Sequence, residues 1–196
     1  MIAKDKVKKY WENRAGEHGA KAVGYDNLPM SMLEVEDNER KEFIFKHCPR
    51  GIPTLDYGCG TGKYAQEFEF YTGLDITKTL IDVAREDNPK KRFFLIDDIK
   101  LPRTSVRFDM FFTVTVLQHN SDEGVMDIFE SVKAVRPNNI MFSLYEIADV
   151  VAPHVCGRSA ERYIEMLSKF YEIDNWEQFS HTLREQKHIH TMIGCA

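Results

Sequence analysis

Long apolar runs are missing from this 196-residue sequence: no stretch approaches the roughly 20 apolar residues that a membrane-spanning helix needs. Cysteine is sparse. Cys48, Cys59, Cys156 and Cys195 form no C-x-x-C pair, and none stands at metal-ligand spacing from a histidine, so neither a zinc site nor a disulfide framework is expected. Positive charge is not in excess. The net charge of −5 argues against nucleic-acid binding by bulk attraction. Internal repeats and low-complexity segments are also absent. Met1–Lys6 lacks the apolar core of a signal peptide. A reducing, cytoplasmic setting without membrane contact is therefore expected.

What remains is ordinary globular composition, 43% hydrophobic and 29% charged, at a length that favours one domain. Short apolar runs at Thr54–Tyr57, Tyr71–Ile76, Arg92–Ile96, Asp109–Val116 and Asn139–Tyr145 read as strands covered on both faces. Helical patterns separate them at Thr77–Glu86, Glu123–Val135 and Ser159–Lys169, the last with Ser159 as a cap. Phe170–Phe179 and Lys187–Cys195 look like a closing antiparallel pair. The expected fold is α/β, a Rossmann-like doubly wound sheet of seven strands, mostly parallel with an antiparallel C-terminal strand. Two further helices, Lys4–Ala15 and Leu33–His47, precede the sheet. Residues 1–50 are expected to form a helical lid over its carboxyl edge, and residues 51–196 the core.

Ligands in such sheets bind beyond the carboxyl ends of the strands. The first run ends in Asp56-Tyr57-Gly58-Cys59-Gly60-Thr61-Gly62, a turn whose three glycines let a ligand approach the backbone closely. Its G-x-G-x-G spacing departs from the dinucleotide fingerprint, and the P-loop spacing is absent. The second run ends in Gly73-Leu74-Asp75-Ile76, where a carboxylate can accept both hydroxyl hydrogens of a ribose. The third ends in Ile96-Asp97-Asp98-Ile99, where an acid can accept from an adenine amine.

In this order the motifs resemble the class I S-adenosylmethionine (SAM)-dependent methyltransferases, of the methyltransferase type 11/25 kind. Asp56–Gly62 resembles the first motif of that family and Gly73-Leu74-Asp75 the ribose motif. Asp97–Pro102 with Phe108-Asp109 resembles the adenine motif. Val116-Leu117-Gln118-His119 is similar to the stretch after the fourth strand, and Val135-Arg136-Pro137 to the approach to the fifth. The resemblance implies SAM as cofactor and S-adenosylhomocysteine as product. It implies that Asp56 and Gly58 line the methionine part, that Gly60 and Gly62 permit the turn, and that Asp75, with Ile76 beside it, holds the ribose. Asp97 would hold the adenine amine, flanked by Asp98 and Ile99. The backbone near Val114 would meet the methionine amino group. Tyr10, Trp11 and Arg14 resemble a segment that closes over the carboxylate. Gly73 follows Gly62 by only 11 positions, about one helical turn fewer than the family usually has, so the helix at Lys63–Phe68 must be very short.

On the acceptor side several residues carry two readings each. His119 is a candidate general base or a structural histidine under the cofactor. Glu146, after Tyr145, faces an acceptor pocket or merely ends its strand. His18 and Tyr25 touch substrate or lie on the surface. Arg158 pairs with an anionic substrate or with a nearby acid. Asp98 flanks the adenine, or is a solvated acid or helix cap. His181, His188 and His190 lack a carboxylate or cysteine to complete a metal site, and none is expected. The function implied is methyl transfer from SAM to an O, N or S nucleophile of a small-molecule acceptor, by a monomer or homodimer. Methylation of RNA or protein is the alternative within this chemistry. A non-catalytic SAM-binding partner or sensor is the alternative outside it.

Overall fold

The computed structural model describes residues 4–18, 29–98, 107–135, 140–146, 155–180 and 188–195. Two helices, α1 (Lys4–His18) and α2 (Met30–His47), precede the first strand, β1 (Thr54–Tyr57). Then follow β2 (Tyr71–Asp75), α3 (Lys78–Asp87), β3 (Arg92–Leu95), β4 (Met110–Val114), α4 (Asp122–Val135), β5 (Ile140–Glu146), α5 (Ala160–Leu167), β6 (Glu172–Ser180) and β7 (His188–Cys195). The sheet runs β3-β2-β1-β4-β5-β7-β6. The pairings from β3 through β5 are parallel, whereas β7 runs antiparallel to β5 and β6 antiparallel to β7. This is the parallel, Rossmann-like α/β arrangement expected from the alternating runs. The strand order reverses between β1 and β4, which places the carboxyl ends of β1, β2 and β4 around one crevice.

Each face of the sheet carries its own core. On one, Tyr71, Phe93, Met110 and Phe112 pack with α2 and α3; on the other, Leu55, Leu74 and Phe111 pack with α4 and α5. The alternation Met110-Phe111-Phe112 sends successive side chains to opposite layers, so the run is apolar throughout. Helices α3 and α5 place their apolar residues on one stripe: Leu80, Ile81 and Ala84 are buried in the first, Tyr163, Met166 and Leu167 in the second. The cap at α5 forms as expected, with the Ser159 hydroxyl accepting from the Arg162 N–H at 3.3 Å.

The very short helix expected at Lys63–Phe68 is a single 3-10 turn at Ala65–Glu67, because the chain must reach Tyr71 within a few residues. Two expectations are corrected. The residues meant for a lid divide: Phe43, Ile44 and Cys48, in and just after α2, enter the core beneath the sheet, so α2 belongs to the helical layer. It covers the shortened segment, with Phe45 edge-on to Tyr64 and Phe68, and Lys41 and Arg50 paired with Glu67 at 3.4 and 3.3 Å. Finally, β4 ends at Val114 rather than Val116, because Thr115 turns to φ 56°.

Phe68 anchors this compensation. It is 1% exposed, stacked on Tyr71 at 5.9 Å and edge-on to Phe112 at 5.2 Å. Phe68→Ala is expected to cost about 3–5 kcal/mol in urea unfolding. A loss below 1 kcal/mol would show that α2 does not depend on this cluster.

Candidate functional site

The glycine turn is built by its hydrogen bonds. The N–H groups of Gly58 and Cys59 both donate to the Leu74 carbonyl, at 2.7 and 2.9 Å, and the Gly62 N–H returns to Cys59. Gly58, Gly60 and Gly62 all have positive φ, of 78°, 55° and 74°. At Gly58 a second constraint is added, since a Cβ there would sit 2.3 Å from the Val116 Cγ2. The turn after β1 and the segment after β4 are thus in contact, and no side chain fits between them.

Asp75 locks the turn to the next element. Its Oδ2 accepts from Gly60 N–H at 2.9 Å and its Oδ1 from Thr77 N–H at 2.8 Å, just before α3. A carboxylate offers about four acceptor sites, and the Ile76 N–H also hydrogen-bonds this one. Burial raises the Asp75 pKa, and the backbone N–H groups oppose that rise. One strand away Asp56 is 2% exposed and accepts from the Tyr71 hydroxyl at 2.5 Å. Burial lifts Asp56 to about 7; the Tyr71 hydrogen bond lowers it, and the Asp75 charge adds to the rise. Two desolvated carboxyl groups below the turn are an environment suited to a cation.

Asp97 lies in a 3-10 turn directly after β3, and its Oδ2 is 2.6 Å from the Lys8 Nζ of α1. Trp11, three residues along the same helix, meets the His119 ring edge-on at 5.1 Å, and Ala15 packs on Leu80 of α3. Lys8, Trp11 and Ala15 share one helical face. Helix α1 therefore reaches from the end of β3 to the segment after β4, across the carboxyl edge. Tyr10 packs edge-on against Trp11 at 5.2 Å, and Arg14 is half-buried on the same helix. Thr115, between buried Val114 and half-buried Val116, adopts φ 56°, and such backbone costs of order 1–3 kcal/mol for a non-glycine residue.

The structure thus gathers Tyr10, Trp11, Arg14, Asp56, Gly58, Gly60, Gly62, Asp75, Ile76, Asp97, Val114 and His119 around the carboxyl edge. Asp98 is exposed in the turn beside Asp97. Of the two readings of Arg158, the pairing with a nearby acid is the one found, and the substrate contact is corrected. Its Nε reaches Asp122 Oδ1 at 2.6 Å, Nη1 the Leu117 carbonyl at 3.1 Å and Nη2 the Asn120 carbonyl at 2.5 Å, so its guanidinium is engaged within the protein rather than facing a substrate. Ile99, Tyr25 and His181 lie outside the described residues, as do the side chains of His18, Tyr145, Glu146, His188 and His190. Sequence reasoning missed Lys8, Tyr71, Thr77 and Thr115. Of these only Lys8 carried a signal, its helical spacing from Trp11.

Two predictions follow from this geometry. Gly58→Ala is expected to lose about 1–2 kcal/mol to left-handed backbone alone, with the Val116 clash added. Combining it with Val116→Ala should recover the clash part, seen as coupling in a double-mutant cycle of urea unfolding; no coupling would deny the contact. Because Asp56 binds its proton more tightly when folded, its stabilising contribution is full below its ordinary 3.8 and is lost as pH rises through about 7. Asp56→Asn should therefore flatten the fall of stability between pH 4 and 7 and gain most on the wild type above that window. An unchanged slope would place the proton elsewhere.

A family model described as a methyltransferase domain matches residues 55–141, from β1 into β5. The O-methyltransferase cnsE of Penicillium expansum is 29% identical over 171 residues, covering 80% of this chain and 56% of that protein. The tRNA (carboxymethyluridine(34)-5-O)-methyltransferase of Schizosaccharomyces pombe is 31% identical over 85 residues, covering 42% of this chain and 36% of that protein. The chain thus spans about half the length, or less, of these curated relatives. Among solved structures, magnesium protoporphyrin IX methyltransferase (ChlM) from Synechocystis PCC 6803 with bound S-adenosylhomocysteine shares the fold, with a TM-score of 0.69 at 13% identity over 98% of this chain and 100% of that one. Residues 55–141 thus match a methyltransferase domain, and they carry the glycine turn, Asp75 and Asp97 on successive strand ends of a fold shared with methyltransferases solved with S-adenosylmethionine or S-adenosylhomocysteine bound.

Proposed function

We propose that this protein binds SAM across the carboxyl ends of β1, β2 and β3 and transfers its methyl group to an O, N or S nucleophile of a small molecule. The observation that carries the reading is Asp75: a buried carboxylate at the carboxyl end of β2, fixed by the backbone N–H groups of Gly60 and Thr77. That is the arrangement a ribose diol requires. In this reading Asp97 accepts from the adenine amine, with Asp98 and Ile99 beside it, and Ile76 lies against the ribose. The close contact of Gly58 with Val116 leaves backbone, not side chain, facing the methionine part. Asp56 and Asp75 favour the positive charges of the cofactor from below.

SAM supplies an electrophilic methyl on a sulfonium, so the protein's own task is alignment and exclusion of water. Helix α1 serves as the lid, with Trp11 and Tyr10 forming its apolar underside and Arg14 the partner of the ligand carboxylate. His119 stands at the lid's edge, placed to accept a proton from a hydroxyl or amine acceptor. Support for a small acceptor comes from the net charge of −5 and from the match to the O-methyltransferase over most of this chain.

Titration calorimetry with SAM and S-adenosylhomocysteine is expected to show stoichiometric binding. A deoxy analogue lacking one ribose hydroxyl should bind about 1.5–3 kcal/mol more weakly, without disturbing the turn as an Asp75 substitution would. Equal affinity of the analogue would deny the ribose role of Asp75, and no binding by folded protein would deny the cofactor. Methyl-labelled SAM should then label a component of a metabolite extract. Label entering RNA or protein instead would contradict the small-molecule acceptor.

A further inference from the structure

The five residues before α5 are fastened to the segment that follows β4. Arg158 is 8% exposed, and besides Asp122 and the carbonyls of Leu117 and Asn120 its Nη1 donates to the Tyr163 hydroxyl at 3.3 Å. Two residues earlier the Cys156 N–H donates to the Gln118 carbonyl at 2.6 Å. The carbonyls held in this way, those of Leu117, Gln118 and Asn120, bracket His119 on both sides. The turn is also closed on itself, since the Val116 carbonyl accepts from the His119 N–H at 3.0 Å and from the Asn120 side-chain amide at 2.9 Å. Partial burial opposes ionisation of Asp122, yet hydrogen bonds from Arg158 and Arg162 outweigh it and hold its carboxyl below the usual range. The acid thus stays charged opposite Arg158.

A buried guanidinium is a poor way to gain stability. Its desolvation costs several kcal/mol, and an apolar side chain of similar volume is often as stable. What a planar fork does that an apolar chain cannot is fix several acceptors at once in a set geometry. Here those acceptors are backbone atoms of the turn that carries His119, and the His119 ring is what Trp11 of α1 rests against at 5.1 Å.

We propose that Arg158 is a positioning residue that fixes the Leu117–Asn120 turn so that His119 meets Trp11, building the acceptor side of the methyl-transfer site from the segment that precedes α5. The proposal rests on the methyl-transfer reading for the meaning of that wall, but its geometry is testable without an acceptor. The chain has two tryptophans, Trp11 and Trp176, and Trp176 is exposed on β6. In a Trp176→Phe background the emission therefore reports Trp11 alone. A protonated imidazole in contact with an indole quenches it, so acidification should give a quenching step, assigned to His119 by its loss in His119→Leu.

Arg158→Lys and Arg158→Met are expected to lose this step while keeping native far-UV circular dichroism. Asp122→Asn, which leaves the bonds to the Leu117 and Asn120 carbonyls, should keep it. A residue with only a structural role would lower the melting temperature and leave the step intact in the folded protein. A full-sized step in folded Arg158→Lys, or no His119-dependent step in the parent, overturns the proposal. Arg158→Lys retains the charge and carries the test where Arg158→Met does not fold. Titrating the parent with S-adenosylhomocysteine tests the methyl-transfer reading separately, since failure to bind there leaves the quenching comparison unaffected.

Discussion

Everything at the carboxyl edge of this sheet hangs on the buried carboxylate of Asp75. It ties Gly60, at the centre of the glycine turn, to Thr77, just before α3, each oxygen accepting a hydrogen bond from one of their N–H groups. A desolvated acid is costly unless it is bonded, and these two N–H groups are what the low-dielectric site supplies. They also orient it at the carboxyl end of β2. The Leu74 carbonyl, accepting from both Gly58 and Cys59, reinforces the connection one residue earlier. Structure and binding are thus not separable at Asp75, which is why the ligand rather than the residue is the better thing to alter.

The second constraint is crowding. Gly58 meets Val116 and Gly73 meets Cys59 and Phe93, both closer than a Cβ allows. With the helix after the turn cut to three residues, little dipole is available there, because a single 3-10 turn aligns few peptide units. The layer that helix would have filled is supplied by α2 and the aromatic group of Phe45, Tyr64 and Phe68. Charge on the site comes instead from Asp75 below it, and from the Lys8–Asp97 pair where α1 arrives.

The strands and the turn were legible because their signals are local. Continuous apolar runs betray strands covered on both faces, and the glycines of Asp56–Gly62 have positive φ that few other residues accept. The acids after β2 and β3 were legible from their place at strand ends. What stayed hidden depends on residues far apart in sequence. Tyr71 reads as one more aromatic in a strand, and only the register of β1 against β2 sets its hydroxyl on Asp56. Thr115 has a β-branched side chain that argues for continuing the strand, yet the contact of its neighbour with the glycine turn bends the backbone there. Arg158 was rightly marked as needing an anion, and its partner proved to be Asp122, 36 positions earlier. Helix α2 looked like the rest of the N-terminal segment, because nothing in its own pattern says which surface it covers.

The most direct test of the account is a crystal structure of the protein grown with S-adenosylhomocysteine. The predicted result places both ribose hydroxyls on the Asp75 carboxylate, with the Gly60 and Thr77 bonds kept, and the adenine amine on Asp97 beneath α1. Ligand density anywhere else, or an Asp75 carboxylate turned away from a ribose bound at this edge, would contradict it.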